Sequence, residues 1–171
     1  DNLILYASST AAQGEALTPN HQYLLVTGGD GLAVFRVSDL EQTAGANPAG
    51  VLHSPGQQHA EGVAVTPDGR FAFVTFQNTA HVGAFNLQRA LTSGFGSSAL
   101  VGLIPVGPQP IGIVMAPDGR HAYVASGQAH ASTAGAGVLS VIDVPQAEKH
   151  PGSAVIVKTI PAGCGINRMV L

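Results

Sequence analysis

Basic residues are scarce in this chain: seven Lys+Arg among 171 residues, against ten Asp+Glu, for a net charge of -3. Neither a phosphate backbone nor an anionic lipid surface would find a basic patch here, so nucleic acid and charged membranes are excluded as expected partners. The single cysteine, Cys164, rules out an intrachain disulfide and makes cysteine usage uninformative about the redox compartment. No apolar run approaches the about 18 residues that a membrane helix needs, and no membrane insertion is expected. The opening residues, Asp1-Asn2-Leu3-Ile4-Leu5-Tyr6, lack the basic segment and cleavage site of a signal peptide. Any targeting segment is expected to have been removed or to lie outside this stretch. No Gly-x-Ser-x-Gly, phosphate-binding loop, paired-cysteine cluster or aromatic nucleic-acid platform occurs. Helical periodicity is missing too: Ser38 to Pro48 reads as a polar loop, and Leu87 to Leu91 as one helical turn at most.

What is present argues for a buried, turn-rich fold. Hydrophobic residues make up 45% and charged residues 10%, which excludes disorder, and 22 Gly with 11 Pro predict many turns. The stretch Gly62-Val63-Ala64-Val65-Thr66-Pro67-Asp68-Gly69-Arg70-Phe71-Ala72-Phe73-Val74 returns as Gly112-Ile113-Val114-Met115-Ala116-Pro117-Asp118-Gly119-Arg120-His121-Ala122-Tyr123-Val124. A diverged copy begins at Gly14 and runs through Pro19-Asn20-His21. Asp68-Gly69 and Asp118-Gly119 read as two-residue hairpin turns, with glycine supplying positive φ.

Around these turns the chain divides into units of four short strands: about 14–18, 22–27, 32–37 and 51–53; then 62–66, 71–76, 81–86 and 100–104; then 111–115, 121–125, 137–143 and 155–160. A first strand is expected within residues 2–6. Ungapped continuation sets Ile104-Pro105-Val106-Gly107 against Ile160-Pro161-Ala162-Gly163, so a fourth copy starts with Arg168 at the repeat glycine. Four strands per repeat of roughly 40–50 residues predicts an all-β propeller of antiparallel blades. The expected division is 1–13 (last strand of a preceding blade plus loop), blades 14–61, 62–111 and 112–167, and 168–171 as the start of the next. Three blades cannot close a ring. The missing ones are expected from a longer chain or from self-association.

The residues Pro110-Ile111-Gly112-Ile113-Val114-Met115-Ala116-Pro117-Asp118-Gly119, His121-Ala122-Tyr123-Val124-Ala125 and Leu139-Ser140-Val141-Ile142-Asp143 resemble the repeat of the YVTN, or lactonase-like, seven-bladed propellers. Phe73-Val74-Thr75-Phe76 and Ile104-Pro105-Val106-Gly107 carry the same likeness. It covers essentially the whole chain. The resemblance implies a seven-bladed ring and an extracytoplasmic location, whether periplasmic, secreted or at the cell surface.

Candidate site residues follow from strand direction. The lead-in loop before each first strand shares an end with the loop between second and third strands, and the Pro-Asp-Gly turns lie at the other end. Propeller ligands are expected at the lead-in end. Just before the repeat glycine stand Gln13, Glu61, Ile111 and Asn167; two residues earlier stand Ala11, His59, Gln109 and Gly165. His59-Ala60-Glu61 thus pairs an imidazole with a carboxylate, suited to acid–base work or to part of a metal site, and equally to a hydrogen-bonded polar loop. Arg168 could bind an anionic group or pair with Glu61. Asp30, Asn78, Gln128 and His130 lie on neighbouring loops. The binding set is therefore Gln13, Asp30, Asn78, His59, Glu61, Gln109, His130, Asn167 and Arg168. Cys164 reads as an inert small residue, and the other histidines show no zinc spacing.

Three functions compete. The first is a binding or interaction scaffold with a small-molecule or protein ligand at the lead-in end and no cofactor. The second, implied by the resemblance, is a lactonase-like hydrolase of a sugar lactone, for which only His59, Glu61 and Arg168 are catalytic candidates. The third is a redox propeller carrying haem or quinone, for which no attachment motif is present.

Overall fold

The computed structural model describes residues 12–42, 45–127, 137–163 and 169. The strand expected within 2–6, Cys164 and the start of the fourth copy lie outside them. Twelve strands form three four-stranded antiparallel sheets, each a simple meander in sequence order. Blade 1 contains β1 (Glu15–Leu17), β2 (Tyr23–Gly28), β3 (Gly31–Arg36) and β4 (Gly50–His53). Blade 2 contains β5 (Ala60–Val65), β6 (Phe71–Phe76), β7 (His81–Asn86) and β8 (Leu100–Pro105). Blade 3 contains β9 (Pro110–Met115), β10 (His121–Ser126), β11 (Val138–Asp143) and β12 (Ile156–Pro161). This is the blade arrangement of a β-propeller, and the repeat register predicted it.

The core lies between the sheets. One buried cluster joins Leu25, Leu32, Val34 and Leu52 of blade 1 to Val63, Val74, Phe76 and Phe85 of blade 2. A second joins Phe71, Phe73, Val82 and Ile104 of blade 2 to Ile113, Val124, Ile142 and Val144 of blade 3. Alternation along β6 explains both: Ala72, Val74 and Phe76 face one neighbour, Phe71 and Phe73 the other, and all six residues are buried.

Two expectations need correction. The Pro-Asp-Gly element is not a two-residue hairpin. Thr66 and Phe71 still pair, Thr66 N–H donating to Phe71 O at 3.0 Å, so four residues, 67–70, make the turn. Asp68 Oδ1 accepts from the Thr66 hydroxyl (2.6 Å) and from Arg70 N–H (3.0 Å), while Gly69 holds φ +72°. The second correction is that each third strand runs into a short helix: α1 (Val37–Gln42), α2 (Leu87–Ser93) and α3 (Val144–Ala147). For α2 and α3 the signal is an N-cap at the strand's end rather than helical periodicity. Asn86 Oδ1 accepts from Arg89 N–H at 2.7 Å, and Asp143 Oδ1 from Gln146 N–H at 3.0 Å. Buried Leu87 and Ala90 then fasten α2 to the core.

Adjacent blades meet through three repeated contacts. The fifth residue of each second strand is a buried threonine in blades 1 and 2. Thr75 Oγ1 accepts from Gly62 N–H (2.8 Å) and donates to Ile111 O of blade 3 (2.9 Å). Thr27 repeats this with Gly14 N–H (2.9 Å) and Glu61 O (2.5 Å). The repeat glycine is required beside it: a Cβ on Gly62 would stand 2.5 Å from Ile111 O. In the second contact Phe95 covers Gly50 of the preceding blade, and Pro151 covers Gly102. In the third, Pro19 lies against Gly69 of the next blade's turn and Pro67 against Gly119. The outer positions differ: Ala125 replaces the threonine, Lys158 stands opposite Val141 where Gly102 stands opposite Ala84, and His21 (φ +58°) takes the turn glycine's place.

Candidate functional site

Strand pairing fixes which loops share an end. Ala60 pairs with Phe76, Phe76 with His81 and His81 with Pro105, which puts the lead-in loop, the β6–β7 loop and the end of β8 together. The turns at 67–70 and 117–120 and all three helices lie at the opposite end. Polar side chains gather at the lead-in end of blade 2.

The backbone of His59–Glu61 is held by blade 1 and by the β6–β7 loop of blade 2. Ala60 N–H donates to Gly29 O (2.9 Å), Thr27 Oγ1 donates to Glu61 O, and Gln77 N–H donates to His59 O (2.9 Å). Between Ala60 and Val63 the β5–β6 register slips, so Glu61 and Gly62 together oppose Thr75 in a bulge. His59 adopts φ +58°, and Gln109, its counterpart in blade 3, adopts φ +51°. This left-handed geometry costs a non-glycine residue energy and is imposed by the recurrent lead-in turn.

The side chains lie close but do not satisfy one another. His59 Nδ1 is 3.6 Å from Glu61 Oε1, beyond a hydrogen bond. That nitrogen is shielded from solvent and without a hydrogen-bond partner, although the imidazole as a whole is 40% exposed. The Glu61 side chain is only 14% exposed, and no described residue donates a hydrogen bond to its carboxylate. Ser54 Oγ, buried in the same loop, also has no partner.

Other polar groups lie at the same end. Asp30 Oδ1 accepts from His53 Nδ1–H at 3.1 Å, His81 Nδ1–H donates to Thr79 O at 2.6 Å, and the Thr79 hydroxyl donates to Gln57 Oε1. His53, His81, Gln57 and Thr79 are not among the candidates that the sequence singles out. Contacts between His53 and Asp30 span 23 residues and leave no local pattern to find them by. Gln13, Asn78 and Gln109 are at this end with exposed side chains. Asn167, Arg168, Gln128 and His130 lie outside the described residues. Among those described, no group of three or more His, Cys, Asp or Glu is arranged to hold a metal ion.

Charge divides between the two ends. Arg36, Arg70, Arg89, Arg120 and Lys149 all lie at the turn-and-helix end, and Lys158 lies along β12. No described Lys or Arg is at the lead-in end, where Glu15, Asp30 and Glu61 stand. At the turn end, burial pushes the Asp68 carboxyl up, but hydrogen bonds from Thr66 and Arg70 outweigh it and hold the group below the usual range. Burial raises Glu148, against the opposing pull of Arg70 at 3.8 Å.

No family profile and no curated protein matches this sequence. Solved structures do match. Hydrazine synthase of Kuenenia stuttgartiensis superposes with a TM-score of 0.70 at 22% identity, covering 92% of this chain and 38% of that one. The WD40 repeats of RRP9 and the structure of U3-55K each give 0.64, at 13% and 12% identity, covering 89% of this chain and 39% of theirs. The chain therefore spans well under half the length of these relatives. At such identities the likeness establishes the β-propeller fold and leaves activity to the site.

Proposed function

We propose that this protein is an extracytoplasmic β-propeller scaffold of the YVTN, lactonase-like kind that binds a small-molecule or protein ligand at its lead-in end. The observation that carries the reading is the contrast between the two ends of blade 2. The turn end is closed by repeated hydrogen bonds, whereas the lead-in end gathers the hydrogen-bonded Asp30 and His53 beside His59 and Glu61, whose imidazole Nδ1 and carboxylate have no hydrogen-bond partner among the described residues. Buried polar groups without partners are costly, and a ligand that supplies those partners recovers the loss. The YVTN affiliation and the location outside the cytoplasm rest on the resemblance of the repeat motifs.

The hydrolase reading has less support. Opening a lactone needs a positioned base, a water and stabilisation of a developing oxyanion. His59 and Glu61 are brought together, but their counterparts in blade 3 are Gln109 and Ile111, and no described cation reaches them. The test uses the full protein with a panel of sugar lactones and a ligand screen read by amide shifts. The scaffold reading expects no lactone turnover, and saturable ligand shifts confined to residues 53–61 and 77–81. Turnover abolished by His59→Ala, or ligand shifts confined to residues 66–70 and 116–120, would overturn it.

A further inference from the structure

We infer that the lead-in site of blade 2 receives a cationic nitrogen, an ammonium or guanidinium group that donates to Glu61. This rests on the scaffold reading and specifies what that end binds.

The Glu61 backbone is immobilised by Thr27 of blade 1 and by the bulge opposite Thr75, so the carboxylate has a fixed origin. Its side chain is largely withdrawn from water yet accepts no hydrogen bond from any described residue, and among the described residues the group able to carry positive charge that stands beside it is His59 Nδ1 at 3.6 Å. A carboxylate in that state has acceptor capacity in excess and calls for N–H donors. An anionic ligand would be repelled by it. A neutral donor would satisfy its geometry without compensating its charge. Among the described residues, every Lys and Arg lies at the far end or along β12, so the chain's described part offers no internal substitute. The feature belongs to blade 2 alone: blade 3 shares the left-handed lead-in turn at Gln109, but Ile111 stands where Glu61 would be. A metal ion is a poorer occupant, because no third His, Cys, Asp or Glu among the described residues joins the pair. The exposed edge of the His59 ring leaves the approach open from solvent.

Two sources could present such a group, a free amine or a basic side chain of another protein. A third occupant is this chain's own Arg168, which the repeat register places at the next copy's glycine. The experiment titrates the full protein with butylammonium, with the neutral isostere butyramide and with butyrate, following the His59 ring and Glu61 amide signals. A parallel titration uses the peptide acetyl-Gly-Gly-Lys-Gly-Gly-amide. The expected result is saturable shifts with butylammonium and the peptide, none with butyrate, and binding about tenfold weaker or worse in Glu61→Gln. Tighter binding of the peptide than of the amine identifies a protein source, and the reverse a free amine. An equal response to butyramide, or an undiminished one in Glu61→Gln, overturns the inference. So does binding that emerges only in Arg168→Gln, which would make Arg168 the resident group. If the cations fail but another ligand binds at residues 53–61, only this inference falls. If no ligand binds there at all, the scaffold reading falls with it.

Discussion

Asp68 shows how much one repeated residue can do within its own turn. Its carboxylate accepts from the Thr66 hydroxyl, the Arg70 backbone N–H and, at 2.6 Å, the Arg70 guanidinium. Burial alone would raise its pKa; these donors reverse the sign. A carboxyl whose folded pKa lies below its unfolded value adds stability that is complete above the ordinary value of 3.8 and is lost as pH falls through the lowered one. Glu148 acts in the opposite sense, because its raised folded pKa disfavours the ionised form and relieves that penalty on acidification. Denaturant titrations from pH 6 to pH 2 are therefore expected to show an acid-side loss that Asp68→Asn removes. Glu148→Gln is expected to raise stability near neutral pH instead of altering that loss. An unchanged acid limb in Asp68→Asn would contradict the assignment.

At the scale of elements, the blade joint carries the sharpest prediction. Thr75→Ala strips a buried hydroxyl that serves Gly62 N–H and Ile111 O at once, and about 1–3 kcal/mol of stability is expected to go with it. Thr75→Ser keeps the hydroxyl and is expected to retain most of that stability. Gly62→Ala drives a Cβ to 2.5 Å from Ile111 O, a backbone atom that cannot step aside, and a comparable loss is expected. Gly96→Ala, with open space around it, serves as the neutral control in the same urea denaturation series. Strand positions were readable from the repeat because alternation and turn residues are local signals. The joints were not, since Thr75 and Ile111 are 36 residues apart and a strand threonine looks alike whether or not it crosses to the next sheet. The full length of α2 and all of α3 escaped for another reason: both are short, and their starts are marked by Asn86 and Asp143, residues that equally end a strand. His59 and Glu61 were visible as departures from the repeat. Their failure to satisfy each other depends on a bulge and a φ of +58° that no residue pattern spells out.

Across the whole molecule, stability should be graded from the middle outward. Blade 2 is covered on both faces, and all six residues of β6 are buried. Blades 1 and 3 each have one described neighbour, and Leu17 of β1 and Val157 of β12 are about half exposed, at 51% and 52%. Hydrogen exchange under native conditions is expected to leave β6 amides protected longest and those of β1 and β12 shortest, because local opening is easiest where few apolar contacts hold a strand. Uniform exchange across the three blades would count against a core distributed between sheets. The graded picture also bears on the lead-in site. Glu61 belongs to the best-held blade but is pinned by Thr27 of a more exposed one, so loosening blade 1 should free the Glu61 backbone, and with it the proposed site, before it unfolds blade 2.

The blade joint runs one way. Hydroxyls pass forward, from Thr27 to Glu61 and from Thr75 to Ile111, while Phe95 and Pro151 reach back to glycines of the blade before. Blade 3 has Ala125 and Lys158 where a successor would seek the hydroxyl and the glycine, and blade 1 has His21 where a predecessor's proline would seek a glycine. Had these repeats descended from one duplicated ancestor, they would no longer be interchangeable words. They have become a phrase with a syntax: exon-like shuffling that moved the third blade ahead of the second would leave each part grammatical alone and the sentence broken at its seam.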